Sequence, residues 1–402
     1  MFLEKNLLLH LFPFSEEMLA YPNLIKSKLP KVGTTIFTVM GELAQQHNAI
    51  NLSQGFPDFE SSPELIQLVS DAMKKGQNQY APMPGILPLR EEISKKVERL
   101  YGVSYHPESE ITITSGATQA IYTAIAAIVR EGDEVIIFTP AYDCYEPAIE
   151  LNGGKPVFVQ MHAPDYSINW EQVKKLINQR TKMIIINTPH NPTGTIMTKE
   201  DMLALEKIVS DTDIVIISDE VYEHIIFDHH QHESAAKYPR LAERAFITSS
   251  FGKTFHNTGW KMGYCIAPKN LMAEFRKAHQ YVVFSANTPM QYALSEYIKN
   301  EHNYLGLNDF YQEKRDLFTS LIQGSRFEIL PASGTYFQLL RYASISNEKD
   351  TEYAIRLTKE KGIAAIPVSV FYHHSVDEKV LRFCFAKKEE TLKKAAAILN
   401  TI

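Results

Sequence analysis

A lysine lies in a stretch of small and hydroxylated residues that follows an apolar segment. Residues 249–264 read SSFGKTFHNTGWKMGY and place Lys253 between Gly252 and Thr254, shortly after the apolar residues AFIT. An amine at the end of a buried strand is partly desolvated, which lowers its pKa and makes it a nucleophile towards carbonyl groups. A lone lysine is usually exposed, so the role of Lys253 depends on what the rest of the chain supplies.

Two further segments offer an anion site and an aromatic ring. The residues SGAT at 115–118 follow an apolar segment and open a predicted helix, where free backbone N–H groups and the helix dipole attract phosphate. Small residues begin many helices, so this signal is weak on its own. Tyr142 follows Pro140 at the end of another predicted strand, where its ring would either stack on a flat ligand or lie in the core.

An amide and a carboxylate complete the set of polar groups at predicted strand ends. Asn191 lies in TPHNPTG, where two prolines and a glycine favour a rigid turn. It would be either a ligand-binding amide or an ordinary turn residue. Asp219 ends the apolar segment DIVIISD, and a buried acid is rare unless it is paired. We therefore expect a cation beside Asp219, although no arginine is near it in the sequence.

One ligand, a phosphorylated pyridine aldehyde, would use all of these groups together. It requires an amine that condenses with the aldehyde, a phosphate site, and a ring to stack on. It also requires a donor to its phenolate oxygen and an acid that keeps its ring nitrogen protonated. The protonated ring then accepts the electrons of a substrate carbanion. The combination of five signals is far more specific than any one of them.

Apolar strands that alternate with helices would position these groups. Runs such as DEVIIFT at 133–139 and KMIIIN at 182–187 are typical of a buried, mostly parallel α/β sheet. Open sheets of this kind bind ligands at the carboxyl ends of their strands. From about residue 301 the pattern changes to helices and short strands, which predicts a smaller α+β domain. We expect an N-terminal extension at 1–22, a segment at 23–50 that packs on the small domain, a large domain at 51–295 and a small domain at 296–402.

Four motifs resemble those of the fold-type I pyridoxal-phosphate aminotransferases of class I/II. They are NTPHNPTG, SDEVYEH, SSFGKTFHNTGWKMGY and LRFCFAK, and the resemblance extends from about Pro30 to the end of the chain. Within the family the sequence is similar to the methionine aminotransferases and to the kynurenine aminotransferase/glutamine transaminase K group. The resemblance implies a mostly parallel seven-stranded sheet between helices, a homodimer with shared active sites, and amino-group transfer by a ping-pong mechanism.

The resemblance also implies a role for each residue around the cofactor. Lys253 would bind pyridoxal phosphate covalently and then shuttle a proton between substrate and cofactor. Asp219 would bind the ring nitrogen, Tyr222 and Asn191 would bind the phenolate oxygen, and Tyr142 would stack on the ring. Tyr80 of the partner subunit would reach the phosphate. The other phosphate-binding residues would be Gly116, Ala117, Thr118, Ser250 and Lys261, the last at a position where many relatives have arginine.

A second set of residues would bind the substrate. Arg382, in LRFCFAK, would hold the α-carboxylate in a bidentate pair, with help from Gly55 and Asn191. Phe284 of the partner subunit would line the pocket. The remaining candidates for the pocket wall are Phe37, Tyr80, Tyr336 and Phe371. Since no second arginine is evident to receive a side-chain carboxylate, we expect methionine, glutamine or aromatic amino acids to be preferred over aspartate.

Two alternative functions remain open. The first is β-elimination from cysteine S-conjugates, as a cysteine-S-conjugate β-lyase or kynurenine aminotransferase would perform on the same scaffold. The second is a non-catalytic sensor that uses the cofactor fold to bind an effector. Pyruvate and thiol release would identify the first. Biological activity that survives Lys253→Ala would identify the second.

Composition restricts the classes of partner. The chain has 402 residues, 45% of them hydrophobic and 22% charged, and a net charge of −6, which gives no basic surface for nucleic acid. NLLLHLFPF near the start is too short and too interrupted for a signal peptide or a membrane span. Three widely spaced cysteines suggest reduced thiols, so we predict a cytoplasmic protein. His229, His230 and His232 suggest a metal site but are expected to lie in a solvated loop, so we predict no metal.

Overall fold

A computed structural model describes residues 26–374 and 376–402 of the chain. The predicted N-terminal extension at 1–22 lies outside the described residues. Numbered in chain order, the α-helices are α1 (Ile36–Gln46), α2 (Pro63–Lys74), α3 (Leu87–Tyr101), α4 (Ala117–Ile128), α5 (Tyr145–Leu151), α6 (Trp170–Leu176), α7 (Lys199–Val209), α8 (Pro239–Ala242), α9 (Phe251–Thr254), α10 (Lys269–Val282), α11 (Thr288–Tyr297), α12 (His302–Leu305), α13 (Leu307–Ile322), α14 (Asp350–Arg356) and α15 (Glu389–Leu399). Short 3-10 helices lie at Ala235–Lys237, Thr258–Trp260 and Val368–Phe371, and a π-helical turn lies at Leu357–Lys361.

The strands form one large sheet, one small sheet and one isolated pair. They are β1 (Ile50–Asn51), β2 (Ile111–Thr114), β3 (Glu134–Thr139), β4 (Lys155–Gln160), β5 (Thr181–Asn187), β6 (Val215–Asp219), β7 (Ala245–Ser250), β8 (Gly263–Ile266), β9 (Glu328–Ile329), β10 (Phe337–Arg341), β11 (Ile363–Ala364), β12 (Ile366–Pro367) and β13 (Val380–Cys384).

The large sheet has seven strands in the order β2-β8-β7-β6-β5-β3-β4. Neighbours from β7 through β6, β5 and β3 to β4 are parallel, whereas β8 is antiparallel to both β7 and β2. The predicted fold class, a mostly parallel seven-stranded sheet, is therefore confirmed. No helix in the described residues is long and apolar enough to cross a bilayer.

Both faces of the large sheet are covered, which explains its continuous apolar strands. Successive side chains of a strand point to opposite faces, and here both faces are hydrophobic. Ile184 and Ile186 belong to one buried cluster, and Ile185 between them belongs to the other. A strand with only one buried face would instead alternate apolar and polar residues.

The small sheet is antiparallel and has the order β12-β13-β10-β9. One of its two inner strands, β13, carries Arg382, which pairs with Leu339 on β10 and with Ile366 on β12. Strand β1, near the N-terminal end of the described residues, pairs with the C-terminal part of the chain. Its residue Ile50 lies opposite Ile363 of the parallel strand β11. The limits 51–295 and 296–402 for the two domains stay predictions.

Candidate active site

One pocket at the carboxyl ends of the parallel strands contains every cofactor-binding residue that was predicted from this chain itself. The carboxyl ends of β5, β6 and β7 and the amino end of α4 meet there, as expected for an open α/β sheet. Its lining also includes four residues that the sequence did not single out, namely Ile121, Asn187, Val221 and Thr258. The predicted residues in the lining are Gly116, Ala117, Thr118, Tyr142, Asn191, Asp219, Tyr222, Ser250, Lys253 and Lys261.

The turn between β2 and α4 forms an anion-binding corner. Gly116 is the N-cap of α4 and has φ +81°, a conformation that favours glycine. No side chain caps this helix end, so its first N–H groups are available to a ligand. A Cβ atom on Gly116 would lie 3.5 Å from the Nζ of Lys261, so backbone donors and an ammonium group converge there.

Asp219 is a buried carboxylate at the end of β6. Burial raises its pKa to about 6, although a hydrogen bond from Tyr145 acts in the opposite direction. The hydroxyl of Tyr145 donates to Oδ2 at 2.5 Å, and the amide of Val221 makes a longer contact of 3.4 Å with Oδ1. None of the described side chains forms an ion pair with Asp219 within 4 Å, and the protein cation that acts on it is the amine of Lys253 in the same pocket, which lowers its pKa.

Asn187 holds the turn that carries Asn191. Its Nδ2 donates to the carbonyl oxygen of Asp219 at 2.9 Å, and its Oδ1 accepts from the backbone N–H of Asn191 at 2.9 Å. One amide side chain therefore joins the ends of β5 and β6 to the next turn. Its position directly before TPHN was the only sequence signal for this function.

The amine of Lys253 lies between an aromatic hydroxyl and a backbone carbonyl. Nζ donates to the hydroxyl of Tyr336 at 2.9 Å and to the carbonyl oxygen of Gly55 at 3.2 Å. Desolvation lowers the pKa of this amine to about 8. A larger fraction of Lys253 is therefore neutral near physiological pH than for an ordinary lysine, as a nucleophile or a base requires.

Tyr222 and Tyr336 form the wall beside this lysine. Their rings meet edge to face with centroids 5.2 Å apart, and both residues are buried. Burial raises the pKa of both hydroxyls, so both stay neutral donors at physiological pH. Tyr336 donates to the carbonyl oxygen of Gly55 at 2.5 Å, which brings three of the predicted residues, Lys253, Tyr336 and Gly55, into contact.

Arg382 is buried at 1% exposure among aromatic rings. Its Nη1 donates to Oδ1 of Asn191 at 2.7 Å, and its Nη2 donates to the carbonyl oxygen of Ser53 at 3.2 Å. Its Nε has no partner among the described residues. The guanidinium carbon lies 3.9 Å from the ring centroid of Phe337 and 5.3 Å from that of Phe37. A buried guanidinium with an unpaired donor is suited to a carboxylate ligand.

Tyr80 and Phe284 lie together on the surface, outside this pocket. Their ring centroids are 5.1 Å apart, and the two residues are 81% and 40% exposed. The hydroxyl of Thr288 donates to the carbonyl oxygen of Gln79, and that of Ser285 donates to Ala81, which joins the two loops. Within the single chain these aromatic rings do not contribute to the pocket lining.

The histidine-rich loop differs in part from the prediction. His229 and His230 are exposed, but the side chain of His232 is only 6% exposed and bonds to Oε2 of Glu220 at 2.8 Å. The prediction of a solvated position was therefore wrong for His232, because the loop folds back onto the end of β6. In the described ranges no group of three or more His, Cys, Asp or Glu residues is arranged to hold a metal.

The pocket residues fit pyridoxal phosphate. The N-terminus of α4 with the amine of Lys261, the ring of Tyr142, a buried carboxylate and a lysine of lowered pKa surround one space. These are the groups that the phosphate, the ring, the ring nitrogen and the aldehyde of this cofactor require. The lowered pKa of Lys253 suits condensation with the aldehyde, because only the neutral amine is a nucleophile.

Comparison with known proteins agrees with this chemistry. The family model for aminotransferase class I and II matches residues 47–399. The methionine aminotransferase of Escherichia coli is 50% identical over 382 residues, which cover 95% of this chain and 99% of that protein. The human kynurenine–oxoglutarate transaminase 1 is 33% identical, with 88% of this chain and 92% of that protein covered.

Comparison with solved structures also finds aminotransferases. A crystal structure of an Escherichia coli protein with a methionine aminotransferase function has a TM-score of 0.93 and 50% identity, and the match covers 94% of this chain and all of that one. An N-succinyldiaminopimelate aminotransferase from Mycobacterium tuberculosis has a TM-score of 0.90 and 35% identity, with 94% and 99% covered. This chain therefore belongs to the class I and II aminotransferases, enzymes of fold type I that depend on pyridoxal phosphate.

Proposed function

We propose that this enzyme transfers the amino group of methionine, or of another neutral amino acid, to a 2-oxo acid by a ping-pong mechanism. The observation that carries the proposal is the guanidinium of Arg382, which is buried among phenyl rings next to the lysine pocket. It provides one site for a carboxylate within an otherwise apolar wall. The similarity to a methionine aminotransferase supports the same substrate class.

Binding of the substrate would begin at Arg382. The α-carboxylate would pair with its guanidinium, and Asn191, already 2.7 Å from Nη1, would keep that group in place. The apolar rings around the guanidinium lower the local dielectric, which strengthens the ion pair. This contact would fix the amino acid next to the pocket that contains the amine of Lys253.

Lys253 would then move the proton. The bound cofactor supplies an electron sink for the carbanion that forms at Cα. The amine, whose pKa is about 8, accepts the proton as a base and returns it as an acid, and it is held by Tyr336 and Gly55. Asp219 would keep the ring nitrogen protonated, and Tyr222 and Asn191 would bind the phenolate oxygen.

The aromatic composition of the wall favours a neutral side chain. Phe37 and Phe371 each lie 5.3 Å from the guanidinium carbon of Arg382 and 6.0 Å from each other. The rings recorded around this guanidinium belong to Phe37, Phe337 and Phe371, and none of them carries a charge. A side-chain carboxylate would therefore lose its hydration without gaining a partner, which is costly.

Steady-state kinetics with a series of donors tests the substrate class. We expect kcat/KM for methionine, glutamine or phenylalanine to exceed that for aspartate by at least about tenfold, since a desolvated unpaired charge costs more than 1.4 kcal/mol. Arg382→Met should raise KM for every donor, and Lys387→Met, a change at a nearby buried lysine, serves as the control. A preference for aspartate in the wild-type enzyme would refute this substrate assignment.

We further propose a homodimer whose subunits complete each other's sites. The rings of Tyr80 and Phe284 are exposed, and Tyr281, three positions before Phe284 in the sequence, is 90% exposed. Large exposed apolar groups of this kind mark interaction surfaces. Tyr80 would bind the cofactor phosphate in the neighbouring subunit, and Phe284 would line the neighbouring substrate pocket. The free thiols Cys144, Cys265 and Cys384 support a cytoplasmic location for this dimer.

Subunit mixing tests the shared site. Homodimers of Lys253→Ala and of Tyr80→Ala should both be impaired. If Tyr80 serves the neighbouring subunit, one site of a hybrid dimer carries both changes and the other site carries neither. One wild-type site should therefore reappear in each hybrid. If Tyr80 served its own subunit, both sites of the hybrid would be impaired and no activity would return.

A further inference from the structure

Tyr145 makes a short hydrogen bond to the carboxylate at the base of the pocket. It is the first residue of α5 and is buried. Its hydroxyl donates to Oδ2 of Asp219 at 2.5 Å, and the two residues are 74 positions apart in the sequence. Tyr145 does not line the cofactor pocket, so it contacts the site from behind.

The ring of Tyr145 makes a second contact with the same site. It meets the ring of Tyr142 edge to face, with centroids 5.8 Å apart and an interplanar angle of 77°. Tyr142 is the ring that we assign to stack on the cofactor. One buried side chain therefore touches two residues that would bind the cofactor, one through its hydroxyl and one through its ring.

In the part of the chain that the structure describes, the hydroxyl of Tyr145 is the principal hydrogen-bond donor to the carboxylate of Asp219. Among the described residues, the other carboxylate oxygen, Oδ1, has only the 3.4 Å contact with the N–H of Val221. No described side chain forms an ion pair with Asp219 within 4 Å, although the charge of Lys253 in the same pocket also favours its ionised form. Removing the strongest protein hydrogen-bond donor to a buried carboxylate makes its ionised form less stable.

We propose that Tyr145 is a positioning residue that keeps Asp219 ionised and oriented towards the ring nitrogen of the cofactor. The proposal rests on the role assigned above to Asp219, and not on the identity of the substrate. A hydroxyl that donates to Oδ2 stabilises the carboxylate, so the shared proton stays on the ring nitrogen. Without this hydroxyl the carboxyl group becomes more basic and takes a larger share of that proton.

The direction of the pKa shift agrees with this reading. Burial raises the pKa of Asp219 to about 6, and the hydrogen bond from Tyr145 lowers it. Burial also raises the pKa of the Tyr145 hydroxyl, so the hydroxyl remains a donor and does not compete for the negative charge. A purely structural tyrosine would affect folding but not the location of this proton.

The test uses holoenzyme reconstituted with pyridoxal phosphate that carries ¹⁵N in its ring. In Tyr145→Phe the ¹⁵N resonance should move towards that of neutral pyridine. Cofactor should dissociate more readily, and kcat should fall about tenfold, the factor that one pKa unit represents, while KM for methionine changes less than about twofold. Tyr105→Phe is the matched control, because the hydroxyl of this buried tyrosine has no partner among the described residues.

These measurements distinguish a wrong role for Tyr145 from a wrong substrate class. An unchanged ¹⁵N resonance in folded Tyr145→Phe would overturn the role of Tyr145, whatever happens to kcat. Thermal unfolding of the variant without cofactor shows whether a lower rate comes from a weakened core. The ¹⁵N measurement needs no substrate, so a wrong substrate class would leave it unaffected and would appear only in the kinetics of the wild-type enzyme.

Discussion

The Nζ of Lys253 lies 2.9 Å from the hydroxyl oxygen of Tyr336, which itself donates to the carbonyl oxygen of Gly55. The three groups come from α9, from the residue before β10 and from the loop after β1. Because the hydroxyl of Tyr336 donates its hydrogen to Gly55, its oxygen accepts a hydrogen bond from the amine of Lys253. This arrangement holds the lysine in place between its two proton transfers.

Tyr336→Phe should therefore slow the proton transfer without emptying the site of cofactor. One hydrogen bond contributes about 1 kcal/mol, which corresponds to roughly fivefold in rate. The measurement is kcat with methionine together with the kinetic isotope effect of a donor deuterated at Cα, which should increase. Tyr311→Phe is the control, since the hydroxyl of this neighbouring buried tyrosine has no partner in the described ranges. Equal effects in both variants would contradict the role of Tyr336.

Lys96 and Glu223 form a buried ion pair behind the turn that carries Tyr222. Nζ of Lys96 lies 2.6 Å from Oε1 of Glu223, whose carboxylate also accepts from Tyr101 and Ser249. Burial alone would raise the pKa of Glu223, but the charge of Lys96 and these donors hold it well below its usual range.

Breaking this pair should destabilise the protein strongly. Lys96→Met leaves a buried charge without its partner, and we expect a loss of about 3–5 kcal/mol in the free energy of unfolding. The double variant Lys96→Met/Glu223→Gln should recover part of it. The exposed neighbour Lys95, which pairs with Glu92 at 2.7 Å, is the control, and Lys95→Met should change stability by less than about 1 kcal/mol. Similar losses at both positions in chemical denaturation would refute the account.

Lys261 should strengthen cofactor binding through its charge. Its amine converges with the N-terminus of α4, where a phosphate would lie. A hydrogen bond to a charged group contributes about 1.5–3 kcal/mol, so Lys261→Ala should raise the Kd for pyridoxal phosphate by about ten- to a hundredfold. Fluorescence titration of the apoprotein measures this value. Lys261→Arg should retain most of the affinity, and Lys269→Ala, at an exposed lysine beyond the other end of β8, should have no effect.

The lowered pKa of Lys253 predicts a specific pH dependence for the apoprotein. The amine reacts with a carbonyl only when it is neutral, and its pKa is about 8 rather than 10.5. The rate of condensation with pyridoxal phosphate should therefore rise up to about pH 8 and level off above it. An ordinary lysine would show a rate that continues to rise towards pH 10.5. A profile of that second form, measured by stopped-flow absorbance, would contradict the desolvation of Lys253.

The features that could be predicted from the sequence are those that depend on local pattern. Apolar strands that lacked alternation predicted a sheet buried on both faces. Polar residues at the ends of those strands predicted the pocket, because parallel strands bring their carboxyl ends together. Asp219, Asn191 and Lys253 were recognised in this way, although they lie far apart in the chain.

The contacts that were missed join segments distant in sequence. Tyr145 reaches Asp219 across 74 positions, and Lys96 reaches Glu223 across 127. Neither pairing has a local signature, since tyrosine and lysine on a helix are read first as core and surface residues. His232 was misjudged for the same reason, because its partner Glu220 becomes a neighbour only after the loop folds back.

The most direct test of the central claim is the transfer of the amino group from methionine in a single turnover. Wild-type holoenzyme should release one equivalent of the corresponding 2-oxo acid per subunit, and Lys253→Ala loaded with the same cofactor should be slower by a factor of at least about 100, as expected for loss of a positioned acid–base group. Comparable rates in the two proteins, or release of pyruvate and thiol from cysteine S-conjugates with no 2-oxo acid from methionine, would contradict the account.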